Sequence, residues 1–146
     1  MIQDDQYLEA QVMTAPPHRL HLMVVDGAIR FATQAEKALD EQDFETAHFA
    51  LNNSRNFVSE LISGLAADRS PELVDQLKGL FFFVYRNLVE ADLDRDAQKV
   101  RDALSVLRLH RNTWVELIEK LKQEQAGAVN PPHLPTDSPA KRSWTG

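Results

Sequence analysis

The chain has 146 residues, the length of a single domain, and its 43% apolar content can form one buried core. Its 22 acidic side chains outnumber the 16 basic ones, and the formal charge of −6 opposes binding to nucleic acid. Cysteine is absent, which excludes disulfides and thiolate metal ligands. The N-terminal residues are acidic and no apolar run approaches the ~20 residues of a membrane span, so we expect a cytoplasmic protein without membrane insertion.

Apolar residues recur three and four positions apart through most of the chain, which predicts helices rather than strands. Proline lacks a backbone N–H, and the N–H groups in the first turn of a helix have no carbonyl partner within that helix. Pro17 and Pro71 therefore suit helix starts. Asp43 and Asp94 are predicted N-caps, and Gly127 is a predicted C-terminal stop. With their caps, the four predicted helices run from Pro17 to about Leu39, from Asp43 to Gly64, from Ser70 to Asp92, and from Asp94 to about Gln125.

Four long helices with short links predict an all-α fold, an antiparallel four-helix bundle that spans residues 17–126. Residues 1–16 contain an amphipathic stretch, and we expect them to form a short N-terminal segment packed on the bundle as a cap. Residues 127–146 contain four prolines and little apolar surface, so they are predicted to be a disordered tail.

The first and third predicted helices carry more apolar residues than one core face needs. In the first helix, the predicted core face comprises Leu20, Val24, Gly27, Phe31, Ala35 and Ala38, and a second apolar group comprises Leu22, Val25 and Ile29. In the third helix, the predicted core face comprises Leu73, Leu77, Leu80, Phe81, Val84, Leu88 and Ala91, and the second group comprises Phe82, Tyr85 and Val89. Phe83 stands apart from both groups. The second groups either pack within the fold, lie under the N-terminal segment, or bind a partner.

Asp26 and Gly27 in the first predicted helix have structural explanations that require no ligand. The Asp26 carboxylate is expected to pair with Arg30 at i+4. Glycine costs about 1 kcal/mol relative to alanine inside a helix, and close packing against another helix is the expected reason for Gly27.

The sequence offers little support for catalysis or metal binding. Glu45 and His48 have the spacing found in di-iron helical bundles, but those sites require a second such motif and two further glutamates. A phosphorelay bundle remains an alternative, although no candidate histidine is followed by a lysine-glycine pair. The candidate histidines are His18, His21, His48 and His110. Without cysteine or a glycine-rich phosphate loop, we expect neither an enzyme nor a bound metal or cofactor.

Two stretches carry a resemblance to a known family: residues 7–20 (YLEAQVMTAPPHRL) and residues 22–31 (LMVVDGAIRF). They resemble the FliS family of flagellar secretion chaperones, which opens with a tyrosine, a Val-x-Thr-Ala-Ser-Pro start to the first helix and a Leu-Tyr-Asp-Gly-Ala-Ile core. The resemblance covers about Tyr7 to Ile118 and continues through Glu60-Leu61, Leu77 to Leu80, Leu88-x-x-Ala91 and Trp114. Pro16 replaces the family's capping serine, and Val25 and Phe81 stand where tyrosine is usual.

The resemblance implies that the chain binds the disordered C-terminal region of flagellin as an extended, partly helical segment, which prevents premature polymerisation and preserves export competence. The flagellar export gate is a further candidate partner, and the chain itself is expected to be a monomer or a weak homodimer. The residues assigned to flagellin binding are Tyr7, Leu8, Val12, Leu22, Val25, Ile29, Phe82, Tyr85 and Val89. The alternative is a structural helical-bundle homodimer or scaffold without a flagellin client.

Overall fold

The computed structural model describes residues 17–65 and 71–129, and within these ranges it contains four helices and no strand. The helices are α1 (Pro17–Asp40), α2 (Phe44–Gly64), α3 (Pro71–Asp94) and α4 (Ala97–Val129). The prediction of an all-α fold is confirmed. The expected N-terminal cap segment, residues 1–16, and the tail from residue 130 lie outside the described residues.

Local sequence signals set the starts of the first three helices. Pro17 and Pro71 are the first residues of α1 and α3, as predicted. At the start of α2, the Asp43 carboxylate accepts a hydrogen bond from the N–H of Thr46 at 3.3 Å, which confirms the predicted cap. Ser70, the predicted cap of α3, lies outside the described residues.

The connection between α3 and α4 differs from the prediction. Arg95 has a left-handed backbone with φ of 52°, and the N–H of Asp96 donates to the Ala91 carbonyl at 3.0 Å, which satisfies one of the last carbonyls of α3. The Asp96 carboxylate then accepts the N–H of Gln98 at 2.9 Å and caps α4. The prediction of Asp94 as the cap is wrong, because α3 continues through that residue.

The end of α4 also lies beyond its predicted position. The sequence predicts a stop at Gly127, but the helix continues to Val129. A glycine ends a helix by adopting a left-handed backbone, and Gly127 does not have the positive φ that this requires.

The chain divides into two compact units, of which the first ends at Thr113 and the second begins at Trp114. The described part of the second unit is the last portion of α4, residues 114–129. There, Trp114 and Ile118 are partly buried, and the exposed apolar side chains are Val115, Leu117 and Leu121.

In the first unit, α1 and α2 pack most closely, and small side chains line their contact. Ser54 of α2 is fully buried, and its hydroxyl donates a hydrogen bond to the Ala28 carbonyl at 2.8 Å. A Cβ added to Gly27 would lie 2.8 Å from two atoms of the Phe57 ring. Close helix packing is therefore confirmed as the reason for Gly27.

The close approach of α2 also corrects the predicted core face of α1. Ala28 and Ala32 are fully buried, whereas Val24 and Phe31 are only partly buried. Large side chains do not fit between helices that pack this closely, so they lie at the edges of the contact. The buried apolar residues of α1 are Val25, Ala28, Ala32, Ala35, Ala38 and Leu39.

The remaining core residues come from all three other helices. Those of α2 are Ala47, Ala50, Leu51, Val58 and Leu61, and those of α4 are Val100, Ala103, Leu104 and Leu107. On α3 the predicted core face is confirmed for Phe81, Val84, Leu88 and Ala91. Leu73 is 41% exposed, so its assignment to the core is wrong; it lies in the first turn of α3, where the bundle covers less of the helix.

Side-chain pairs show that α4 runs antiparallel to α1. Arg101 contacts Glu36 towards the end of α1, whereas Arg111 contacts Asp26 nearer its start. The Asp26 carboxylate therefore pairs with Arg111 and not with Arg30 as predicted, because the antiparallel packing of α4 brings this second cation to it.

Candidate functional site

The residues assigned to flagellin binding differ widely in their exposure. Tyr7, Leu8 and Val12 lie outside the described residues. Partly buried side chains are Leu22, Ile29, Tyr85 and Val89, of which Ile29 and Tyr85 pack against the core. Phe82 is 53% exposed, and Val25 is fully buried. The predicted set is thus not one continuous exposed face.

The assignment of Val25 to an exposed second face is corrected by its place in the core, where its side chain is 0% exposed. Val25 lies one turn after His21, and the Nε2 atoms of His21 and of His110 on α4 are 2.8 Å apart. Since α4 covers this side of α1 and α2 covers another, apolar residues on both sides of α1 are needed inside the bundle.

The outer face of α3 carries the clearest candidate site of the first unit. Phe82 and Phe83 are 53% and 47% exposed, although they directly follow a fully buried phenylalanine. Gly79, Phe82, Phe83 and Arg86 lie at i, i+3, i+4 and i+7, so they share one side of the helix. They line an open depression of about 260 Å³. We call these four residues the α3 outer face.

Phe81 fixes the orientation of this face. Its ring is fully buried, and the ring of His110 on α4 meets it edge-on, with centroids 5.0 Å apart and an interplanar angle of 90°. Because successive helix residues are separated by about 100°, burying Phe81 turns Phe82 away from the core and leaves Phe83 on its far side. The exposure of the pair is therefore a consequence of the core packing.

Sequence reasoning identified Phe82 but missed the other three residues of the α3 outer face. Phe83 belongs to neither apolar group, and the apolar period does not mark Gly79 or Arg86, which are not large apolar residues. The i, i+3, i+4, i+7 spacing of a glycine, two phenylalanines and an arginine was the signal available. This spacing indicates an exposed surface only once the burial of Phe81 shows which side of α3 faces away from the core.

Other large apolar side chains of the first unit are exposed at separate positions in the sequence, among them Leu73 and Leu93 of α3 at 41% and 77%. Phe49 of α2 is 64% exposed and Leu109 of α4 is 67% exposed. Their neighbours within one turn include polar residues such as Asn52, Asn53 and Arg108. Single exposed apolar residues are common on soluble proteins, whereas an adjacent aromatic pair beside a depression suits a binding surface.

The histidines considered for phosphorelay chemistry have structural contacts. Burial and the neighbouring His110 lower the pKa of His21 to about 4, and burial lowers the pKa of His110. Both rings are therefore neutral near pH 7, with one nitrogen donating and the other accepting in their contact. The pair joins the start of α1 to α4 inside the bundle.

His48 does not pair with Glu45 as a metal site would require. Its Nδ1 lies 2.7 Å from the carboxylate of Asp92 on α3, which also accepts a hydrogen bond from Arg55 at 3.2 Å. Among the residues that the structure describes, no three metal-binding side chains converge. This cluster joins α2 to α3.

The family comparison agrees with the architecture. The family model described as flagellar protein FliS matches residues 1–121. The chain belongs to the FliS family. The match includes all of α1, α2 and α3 and most of α4, so the α3 outer face lies within the family region.

Two relatives named as flagellar secretion chaperones support this assignment. The flagellar secretion chaperone FliS of Bacillus subtilis strain 168 is 25% identical over 122 residues, which cover 84% of this chain and 90% of that protein. The protein of the same name from Salmonella typhimurium strain LT2 is 28% identical over 120 residues, which cover 82% of this chain and 89% of that protein. The family is thus named for a chaperone of flagellar secretion.

A solved structure supports the fold of this FliS family member independently. The crystal structure of a flagellar chaperone from bacteria superposes with a TM-score of 0.67 at 18% identity and covers 80% of this chain and 98% of that chain. At this identity the likeness establishes the helical fold. Among the helices that the structure describes, none has the length and apolarity needed to span a membrane.

Proposed function

We propose that the chain is a cytoplasmic, flagellin-specific export chaperone that binds the disordered C-terminal segment of flagellin on the α3 outer face. Membership of the FliS family supports the chaperone role. The observation that supports this location is the exposed pair Phe82 and Phe83 beside an open depression. Binding prevents premature polymerisation of flagellin and keeps it competent for export.

The energetics of binding a disordered segment favour an aromatic surface. Ordering such a segment costs about 2 to 5 kcal/mol or more. Full burial of a phenylalanine side chain contributes about 1.5 to 3 kcal/mol, and Phe82 and Phe83 are each about half exposed. Together the two rings offset roughly the lower end of the ordering cost. The client must therefore extend past them, and Tyr85 and Val89 are the predicted flanking contacts on α3.

The N-terminal part of the predicted site remains a proposal. Tyr7, Leu8 and Val12 are amphipathic in pattern and precede α1 directly. They either add contacts to the client or cover the apolar surface when no client is bound. Deleting residues 1–13 separates these roles, since the first predicts weaker flagellin binding and the second predicts tighter binding.

Calorimetry with a peptide from the C-terminus of the flagellin encoded in the same genome tests the proposal. Phe82→Glu and Phe83→Glu should each weaken binding at least tenfold, because a buried carboxylate must be desolvated against apolar groups of the client. Their melting temperatures should stay close to that of the parent. Phe49→Glu is the matched control, since Phe49 is as exposed but lies alone on α2. It should bind normally.

The homodimer alternative makes a different prediction for the same variants. If Phe82 and Phe83 formed the contact between two copies, the parent would elute as a dimer and each glutamate variant as a monomer, with no affinity for the peptide in either. A parent that binds the peptide as a monomer supports the chaperone. Normal peptide binding by both glutamate variants would show that the client contacts another surface.

A further inference from the structure

Gly79 lies well inside α3, yet the described residues give no packing reason for a glycine there. A Cβ added to Gly79 would meet no atom within 4 Å, whereas one added to Gly27 would lie 2.8 Å from the Phe57 ring. Gly79 also lacks a positive φ, so the backbone does not require glycine. Alanine would stabilise the helix more at this position. The folded bundle alone therefore does not explain this residue.

The missing side chain shapes the surface. Gly79 lines the depression of about 260 Å³ together with Phe82, Phe83 and Arg86. The distance between two packed helices depends on the side chains at their contact, and glycine permits the closest approach of another backbone. Two aromatic side chains beside this point supply apolar contact to whatever approaches. The depression thus suits a second helix better than a flat apolar surface would.

Arg86 adds a charge at the edge of the depression. Its side chain is exposed and has no ion pair or hydrogen bond with another residue in the part of the chain that the structure describes. Guanidinium groups bind carboxylates through two parallel hydrogen bonds. Arg86 follows Gly79 by seven residues on the same side of α3, which corresponds to about 10 Å along the helix axis.

We propose that a helix of the flagellin C-terminal segment crosses α3 over Gly79, with a small residue at the crossing, apolar side chains against Phe82 and Phe83, and a carboxylate on Arg86. This inference rests on the proposed function. It makes Gly79 a determinant of client choice, because the crossing excludes a client with a large side chain there. The client's acidic residue lies about two helical turns from the small one.

The test substitutes Gly79 and measures stability and client binding on the same protein. Gly79→Ala and Gly79→Leu should each raise the melting temperature by about 2 to 4 °C, because both residues favour helix over glycine and a Cβ at this position meets no atom within 4 Å. Binding of the flagellin C-terminal peptide should nevertheless weaken about fivefold for Gly79→Ala and at least fiftyfold for Gly79→Leu. A gain in stability with a loss of affinity cannot arise from misfolding.

Two further variants complete the experiment. Gly127→Ala is the matched control, since a Cβ there also meets no atom within 4 Å, and it should leave peptide affinity unchanged. Arg86→Glu should weaken binding at least tenfold at low salt, with a smaller difference in high salt because the charge contact is screened.

The outcomes separate this inference from the function on which it rests. If the parent does not bind the peptide, both fail. If the parent binds and Gly79→Leu binds equally well, the crossing at Gly79 is wrong and the chaperone role stands. A lower melting temperature for Gly79→Leu would show that residues 1–16 or another part of the chain occupy the depression. Conversion of a dimeric parent to a monomer by Gly79→Leu would show that a second copy does.

Discussion

The ring of Phe57 lies against Gly27 so closely that a Cβ on that glycine would be 2.8 Å from both Cε1 and Cζ. The ring has little freedom to move, because it also stacks on Phe31 with centroids 5.9 Å apart and an interplanar angle of 20°. This contact joins α1 to α2 and depends on the absence of a side chain at one position.

Gly27→Ala should therefore destabilise the protein. Alanine gains about 1 kcal/mol in helix propensity, but displacing the Phe57 ring from a close contact costs about 1 to 3 kcal/mol. We expect a net loss in the free energy of unfolding, measured by urea denaturation. Gly79→Ala is the control and should gain stability, since the same substitution there adds a Cβ that meets no atom within 4 Å. Equal gains for both variants would contradict the packing explanation of Gly27.

The buried hydroxyl of Ser54 gives a second test of the α1–α2 contact. It donates to the Ala28 carbonyl at 2.8 Å, and Ser54 is 0% exposed. Ser54→Ala should lower the free energy of unfolding by about 1 kcal/mol, the net value of one hydrogen bond. Ser105→Ala should have little effect, because that hydroxyl is exposed and bonds only to its own helix. A loss of the same size in both variants would show that the interhelical bond contributes nothing.

The sequence predicts the α3 core better than the α1 core for a physical reason. On α3 the buried positions carry large residues such as Phe81 and Leu88, so the apolar period identifies them. On α1 the buried positions include Ala28 and Ala32, which carry little apolar signal of their own, and the larger Phe31 draws the predicted face to one side. Alanine is buried at these positions because α2 packs closely against them, and the apolar pattern of α1 alone does not show where α2 lies.

The positions of the helix ends are also only partly predictable from the sequence. Gln42 and Arg95 both adopt left-handed backbones, with φ of 60° and 52°. Glycine is the usual residue for this conformation, so neither position is marked in the sequence. The sequence still predicts the Asp43 cap correctly, because its capping side chain is a local signal. It does not identify the cap of α4, since Asp94 and Asp96 have the same side chain and only the backbone conformation decides between them.

The α3 outer face was partly predictable. Phe82 follows from the apolar surplus on the third helix, but exposure depends on which side the neighbouring helices cover. Val25 illustrates the failure, because a surplus residue on α1 is needed in the core between α2 and α4. Gly79 could not be distinguished from Gly27 by composition, and only the surrounding atoms separate their roles.

The contact between His21 and His110 predicts a specific dependence of stability on pH. The folded pKa of His21, about 4, lies below its ordinary value of 6.5. Between these values the unfolded state binds more protons than the folded state, so stability rises with pH in this window. The contribution of His21 is fully present above its unfolded pKa and is lost as the pH falls towards about 4.

His21→Gln isolates this contribution, because the amide can still hydrogen-bond to His110 but does not titrate. Between about pH 7 and about pH 5 the variant should lose fewer degrees of melting temperature than the parent. Proton titration by NMR should show the His21 ring of the parent still neutral near pH 5.5. An imidazole that titrates near its ordinary value, or identical pH profiles for the two proteins, would contradict the buried pair.

The adjacent residues Phe81 and Phe82 provide the sharpest separation of folding from binding. They have the same side chain and are neighbours in one helix, yet Phe81 is 0% exposed and Phe82 is 53% exposed. Phe81→Ala removes a ring that packs edge-on against His110, and it should lower the free energy of unfolding by about 3 to 5 kcal/mol. Phe82→Ala should change it by less than about 1 kcal/mol, since its ring lies largely outside the core.

Flagellin binding should follow the opposite order. Phe82→Ala should weaken binding of the C-terminal peptide at least tenfold, because it removes an aromatic contact at the centre of the α3 outer face. Phe81→Ala should reduce binding only in proportion to the unfolded fraction, so its folded molecules should bind as tightly as the parent at low temperature. The measurements are urea denaturation and calorimetry on both variants. If Phe82→Ala unfolds like Phe81→Ala, or binds the peptide like the parent, then Phe82 belongs to the core or to a surface that the client does not touch.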